Sequence, residues 1–235
     1  MKVFENEFFI IEAKPFGEYQ TNCYVVNAKN KQESLIIDPG MNATSWVLEN
    51  AKNPQAILNT HGHFDHIWSN KELKEKLPEI PLICPFEDAF MLTSDCFSLG
   101  LPLSTPDILV SECKKDLQDI KESCANTQNL GRENTYTFGD FFVHYICYPG
   151  HTPGCSVVIV SHKDKENEKI MFSGDFIFER SIGRSDFPYA SSAVMKKSLE
   201  SFLELSGDMI IFPGHGGSTS LEAEKRNVPY WIARM

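Results

Sequence analysis

The segment Thr60-His61-Gly62-His63-Phe64-Asp65-His66, standing directly after the apolar run Ala56-Ile57-Leu58, constrains this chain more than any other feature. Three of the chain's seven histidines and a carboxylate fall between residues 61 and 66. In extended backbone, residues two apart project to the same side, so His61 and His63 can converge on one ion. Gly62 between them permits a tight backbone path. If Asp65 opens a helix, Asp65 and His66 emerge in a different direction and serve a second ion nearby. The pattern thus differs from HExxH, where one helical face offers two ligands to one metal.

A divalent ion needs three or four such ligands, so the segment is incomplete alone. Three later segments can complete it: Tyr148-Pro149-Gly150-His151-Thr152-Pro153-Gly154, Ser173-Gly174-Asp175 and Pro213-Gly214-His215-Gly216. Each offers a ligand on a short loop after an apolar strand, where a rigid scaffold can position it. A lone histidine in a turn is more often a surface residue, and Ser-Gly-Asp alone is an ordinary turn. Four strand-end sites sharing one ligand chemistry make a metal centre the better reading. His144, in a strand, and His162, in a polar turn, lack such framing.

Around these loops, short apolar runs read as strands: Phe8 to Ile11, Cys23 to Val26, Leu35 to Ile37 (stopped by Asp38-Pro39-Gly40) and Leu82 to Cys84. Later ones are Phe141 to Tyr148, Ser156 to Val160, Ile170 to Phe172 and Met209 to Phe212. Helical spacing predicts helices from Asn42 or Thr44 to about Lys52, Asp65 to Leu77, Ser191 to Leu205 and Leu221 to Arg226. Residues 85 to 130 are irregular and read as a partly helical insertion, either overhanging the site or peripheral. Two strand-rich halves, each ending in helices and joined by no low-complexity linker, suggest one α/β domain over residues 1–235, two sheets packed together with helices outside.

Composition narrows the function. Apolar residues make up 42% and charged residues 23%, as in an ordinary globular protein. A formal net charge of −10 argues against nucleic acid or an anionic membrane as partner. Bound cations would still allow an anionic substrate. No apolar run reaches transmembrane length, and the start lacks the basic and apolar regions of a signal peptide, reading instead as a first strand. The seven cysteines include no CxxC pair, so reduced thiols and a cytoplasmic location are expected, with small buried hydrophobes as their main role.

The HxHxDH run followed by PGHTPG, SGD and PGHG resembles the metallo-β-lactamase superfamily over nearly the whole chain. Ser181-Ile182-Gly183-Arg184-Ser185-Asp186-Phe187-Pro188 resembles its glyoxalase II-like branch, hydrolases of hydroxyacyl-glutathione thioesters. The resemblance implies an αββα sandwich, a first metal on His61, His63 and His151, a second on Asp65, His66 and His215, and Asp175 bridging. Zinc is the first expectation, with iron or manganese as alternatives for this mixed ligand set. A shared water, deprotonated near neutral pH and oriented by Asp65 and Asp175, would attack a small-molecule thioester such as S-lactoylglutathione. Arg184 and Asp186 are candidates for an ion pair beside the site, or for a pairing that only fixes their loop.

Full-length glyoxalase II carries a helical C-terminal region that contributes to glutathione binding, whereas 20 residues follow His215 here, as in the family's short form. The tail Thr219 to Tyr230 resembles the family's T…E…N-P ending, with Val228 where an Asn precedes the Pro. Three other functions compete. A persulfide dioxygenase would use one iron on His61, His151 and Asp175. A β-lactamase of the common binuclear kind would carry Cys where Asp175 stands. A non-catalytic metal-binding module would leave no open coordination position.

Overall fold

The computed structural model describes residues 1–29, 32–110 and 134–235. Its first sheet is ordered β1 (Lys2–Glu5), β2 (Phe9–Phe16), β3 (Thr21–Ala28), β4 (Glu33–Ile37), β5 (Asn53–Leu58), β6 (Leu82–Pro85) and β7 (Ile108–Val110). The second is ordered β15 (Thr219–Ser220), β14 (Ile210–Pro213), β11 (Lys165–Gly174), β10 (Ser156–His162), β9 (Phe141–Cys147) and β8 (Thr135–Phe138). A two-stranded hairpin, β12 (Ile177–Phe178) with β13 (Ser181–Ile182), stands apart from both.

Alternation along the strands builds four layers. In β3, Tyr24 and Val26 join Phe9, Leu58, Val143, Tyr145, Val158 and Phe172 between the two sheets. Cys23 and Val25 point the other way, onto Trp46 and Val47 of α1 (Thr44–Asn50), Ile67 of α2 (Phe64–Ile67) and Leu73 of α3 (Asn70–Lys76). With both faces covered, every residue of β3 is buried. The second sheet does the same. Val157, Ile159 and Ile211 face Met195, Leu199 and Phe202 of α5 (Ser192–Phe202) and Leu221 and Val228 of α6 (Leu221–Ile232). Burying each large apolar side chain contributes roughly 1.5–3 kcal/mol. The result is the expected αββα sandwich.

Several expectations shift in detail. The start forms a hairpin, β1 with β2, rather than one strand. The helix expected from Asp65 to Leu77 is broken, because the Ser69 N–H donates to Pro39 O, outside the helix. Its hydroxyl meanwhile bonds Gly40 O. Neither Asn42 nor Thr44 caps α1; Ala43 occupies that position. The last helix runs past Arg226 and Pro229 to Ile232, because Val228, Trp231 and Ile232 pack on the outer face of the second sheet.

The presumed insertion begins with a 3₁₀ turn (Phe86–Asp88) and α4 (Ala89–Thr93), then returns to the sheet as β7, so residues 108–110 belong to the core architecture. The remainder of the expected insertion, residues 111–130, lies outside the described residues. His162 is not in a polar turn: it ends β10, buried, with its ring stacked on Phe8 at 4.7 Å. Cys23, Cys84 and Cys155 are free and buried and Cys96 is free, whereas Cys147 is disulfide-bonded, against the expectation of reduced thiols throughout.

Candidate metal centre

Strands β4 and β5 run parallel, as do β11 and β14, and β9 and β11 are both antiparallel to β10. The carboxyl ends of β4 and β5 therefore lie on one side of the first sheet and those of β9, β11 and β14 on one side of the second, and the side chains that follow them meet at one edge of the sandwich. His61 follows β5, His63 precedes α2, Asp65 and His66 open α2, His151 follows β9, Asp175 follows β11 and His215 follows β14. All seven residues expected as ligands meet there.

They form two sets. Ligand atoms of His61, His63 and His151 lie within 4.8 Å of one another, and so do those of Asp65, His66 and His215. The Asp175 carboxylate stands between them. Its Oδ2 is 3.4 Å from His151 Nε2 and 3.3 Å from His215 Nε2, while Oδ1 is 3.3 Å from His66 Nε2. His215 Nε2 and His66 Nε2 each lie 3.5 Å from Asp65 Oδ2.

The outer nitrogens explain why the inner ones point inward. His151 Nδ1 lies 2.7 Å from Arg184 O, and His215 Nδ1 lies 2.9 Å from Tyr19 O. A carbonyl can only accept, so both Nδ1 atoms carry the proton and both Nε2 lone pairs are free for a metal. His66 Nδ1 meets Asp38 Oδ2 at 3.0 Å. The Thr60 hydroxyl donates to the same Asp38 oxygen at 2.7 Å and lies 3.0 Å from His61 Nδ1, leaving its lone pair for that N–H.

Whether metal ions fit follows from what is left over. Among the described residues, His61 Nε2, His66 Nε2, His151 Nε2 and Asp175 Oδ1 are buried and find no hydrogen-bond partner. Unpaired buried polar atoms each cost about 1–3 kcal/mol, so a cluster of them converging on one space needs a ligand. Imidazole and carboxylate lone pairs aimed inward suit divalent cations.

The electrostatics divide between the sets. Burial pushes the His61 and His151 imidazoles down and His63 down to about 3, so the first set is neutral. In the second set burial also works against charge, but carboxylates outweigh it. Asp65, Asp175 and Asp38 hold His66 well above its ordinary value, and Asp175 and Asp65 raise His215 to about 9. Burial raises the Asp65 carboxyl, yet His66 and His215 overcome it and hold it at about 2. Without metal, protons thus occupy the place that a cation would take.

Two further residues shape the centre without standing out in the sequence. Asp38 follows β4 in an Asp-Pro-Gly turn. It sits at φ 47°, a conformation rare outside glycine, and orients His66 directly and His61 through Thr60. A carboxylate at the end of the strand neighbouring β5 was the available signal. Asp88 is buried and accepts from Gly62 N at 2.9 Å, Thr152 Oγ1 at 2.6 Å and Gly154 N at 2.6 Å. It ties together the loops carrying His61, His63 and His151, at the cost of a carboxyl that burial pushes up to about 6. Gly62 must be glycine for the same contact, since a Cβ would stand 2.8 Å from Asp88 O. No spacing rule points to Asp88.

Arg184 and Asp186 do pair, bidentate at 2.9 Å, but both are exposed. Such a pair adds little stability. The connection to the centre runs through the Arg184 carbonyl on His151, not its guanidinium. In the tail, Glu224 is buried and accepts from Thr219 Oγ1 at 2.6 Å, Asn227 Nδ2 at 3.2 Å and Arg180 N at 3.2 Å. Val228, in the position of the usual Asn, joins the core instead.

A paired arrangement of histidines and aspartates at the strand ends of an αββα sandwich defines a class of metal-binding enzyme scaffold. The family model of the metallo-β-lactamase superfamily matches residues 16–215, and the chain belongs to that superfamily. Its members are mostly metal-dependent hydrolases. An uncharacterised protein from Mycobacterium tuberculosis is 31% identical over 94% of this chain and 97% of its own length. The hydroxyacylglutathione hydrolase GloC of Haemophilus influenzae is 29% identical over 94% and 97%. Among solved structures, the B3 metallo-β-lactamase BLEG-1 superposes with a TM-score of 0.72 at 28% identity, covering 94% of this chain and 98% of its own. TTHA1623, in a di-iron-bound form, superposes at 0.68 with 27% identity, covering 93% and 99%.

Proposed function

We propose that this chain is a binuclear metal-dependent hydrolase that cleaves thioesters, S-hydroxyacyl-glutathiones included. The observation that carries the reading is the position of Asp175, whose Oδ2 lies between His151 Nε2 of one set and His215 Nε2 of the other while its Oδ1 faces His66 Nε2. Of two divalent ions, His61, His63 and His151 would hold one and Asp65, His66 and His215 the other, with Asp175 shared. Zinc is the first expectation, iron or manganese the alternatives. Such ions supply a water deprotonated near neutral pH and a charge that polarises the carbonyl.

The chain's own groups do the positioning. Asp38, Thr60, Tyr19 O and Arg184 O fix the tautomers and orientations of four histidines. Asp65 is held in turn by the Thr21 hydroxyl, which donates at 2.6 Å to Oδ2, the oxygen that faces His66 and His215. Asp65 and Asp175 would orient the attacking water. Water adds to the carbonyl carbon, the carbon–sulfur bond breaks, and the products are a carboxylic acid and a thiol. A thiolate departs without a dedicated acid, which suits a centre whose inward-facing side chains are metal-binding in type. The likeness to GloC supports a thioester over other acyl compounds.

A one-iron persulfide dioxygenase would need only His61, His151 and Asp175. The convergence of Asp65, His66 and His215, with both histidines against the Asp175 carboxylate, favours the hydrolase. The likeness to BLEG-1 makes β-lactam turnover the other activity to measure. The deciding experiment is thiol release from S-lactoylglutathione by metal-loaded protein, with nitrocefin turnover and persulfide-dependent oxygen uptake alongside. Thiol release abolished in Asp175→Ala supports the reading. Fast nitrocefin hydrolysis or oxygen uptake without thiol release overturns it.

A further inference from the structure

Six aromatic side chains ring the opening of the metal centre. Phe97 and Phe187 stand edge-on to His63 with ring centroids 5.7 and 5.9 Å away, and Phe187 lies 6.0 Å from His151. Phe64 links Phe97, at 6.1 Å, to Tyr19, at 5.3 Å. Tyr189 links Phe97, at 6.2 Å, to Phe90, at 5.1 Å. The six come from four separate stretches of chain: the β2–β3 turn, α2, the segment of α4 and its following loop, and the loop after β13.

Among the described residues they are also left open. Tyr19 is 61% exposed, Tyr189 52%, Phe187 38% and Phe90 36%. A contiguous apolar patch of this kind is unfavourable in water unless something binds it, and here it begins at the imidazoles themselves. Arg184, a cation at this opening, is paired with Asp186 and lies over the Phe187 ring at 4.2 Å. Its charge is therefore already engaged, and its flat face extends the aromatic surface.

We propose that this aromatic opening binds the acyl substituent of the substrate, and that the preferred acyl group is apolar, aromatic or alkyl, rather than the small hydroxyacyl of lactate. The inference rests on the thioester reading. The acyl substituent is bonded directly to the reacting carbonyl carbon, so it must lie within a few ångströms of the centre that His63 and His151 border, and Phe97 and Phe187 stand against those two imidazoles. Aromatic rims hold flat apolar groups through edge and face contacts in addition to burial.

S-mandeloylglutathione and S-lactoylglutathione differ only by phenyl in place of methyl on the same hydroxyacyl carbon, so their comparison isolates this surface. The expected kcat/KM ratio is about tenfold or more in favour of mandeloyl, carried mainly by KM. Phe97→Ala and Tyr189→Ala, made separately, bring the ratio towards one. Equal kcat/KM for the two esters, or a ratio unmoved by both substitutions, overturns the proposal. Calorimetry with the uncleavable ketones S-phenacylglutathione and S-acetonylglutathione reads binding without turnover, and the phenacyl compound should bind about tenfold tighter. If neither ester releases thiol, the thioester reading fails. The ketone pair still decides the acyl site, where equal affinities overturn it.

Discussion

The Thr152 hydroxyl donates a 2.6 Å hydrogen bond to Asp88 Oδ2, joining the residue after His151 to a buried carboxylate that also receives the N–H groups of Gly62 and Gly154. All three donors require acceptors. Asp88→Asn would turn an NH₂ group towards one of them and leave a buried donor unpaired. The expected cost is about 1–3 kcal/mol of stability. The first histidine set should also loosen, lowering metal affinity by about tenfold or more. Denaturant unfolding and a competitive metal titration measure the two effects. A variant with wild-type metal affinity would show that the two loops do not need this tie.

Gly214 marks the tightest approach to the shared carboxylate. A Cβ there would lie 2.2 Å from Asp175 Oδ1 and 2.6 Å from His66 Cε1. Gly214→Ala should therefore displace Asp175 or His66 and deplete the second set while leaving the first. Elemental analysis is expected to find about half the wild-type metal content, with the fold retained by circular dichroism. Full occupancy in this variant would contradict the close packing.

The two sets should differ in their response to pH. His215, raised to about 9, binds a proton at neutral pH that a cation must displace, whereas His63, lowered to about 3, has none to lose. Affinity at the second set should rise by at least about tenfold per pH unit between pH 7 and 9, with protons released to the buffer. Affinity at the first set should stay flat over that range. The sign for the metal-free protein is the reverse. A raised histidine pKa gives stability that is present below 6.5 and is lost as pH rises through about 9. Calorimetry in two buffers of different ionisation enthalpy counts the protons; equal release at both sets would refute the division.

The ligand loops were legible because each follows an apolar strand, and strand ends are where a sandwich gathers side chains from distant sequence. His61, His63, His151, Asp175 and His215 carry that signature individually. Residues that act through others do not. Asp88 follows a strand and a proline without periodicity, and its role depends on which loops the tertiary fold brings to it. Asp38 looked like punctuation because Asp-Pro-Gly is an ordinary turn signal. The break between α2 and α3 was hidden because the Ser69 N–H is taken by Pro39, a contact between strand-end loops. His162 looked polar in sequence because the aromatic partners Phe8 and Phe9 lie some 150 residues earlier.

Metal content per chain is the most direct measurement. Protein purified without chelator and equilibrated with zinc should carry about two ions per chain, and Asp175→Ala should lose the second along with most of its thioesterase activity. A wild-type chain saturating at one ion, or an Asp175→Ala variant that keeps two, contradicts a shared carboxylate between two sites.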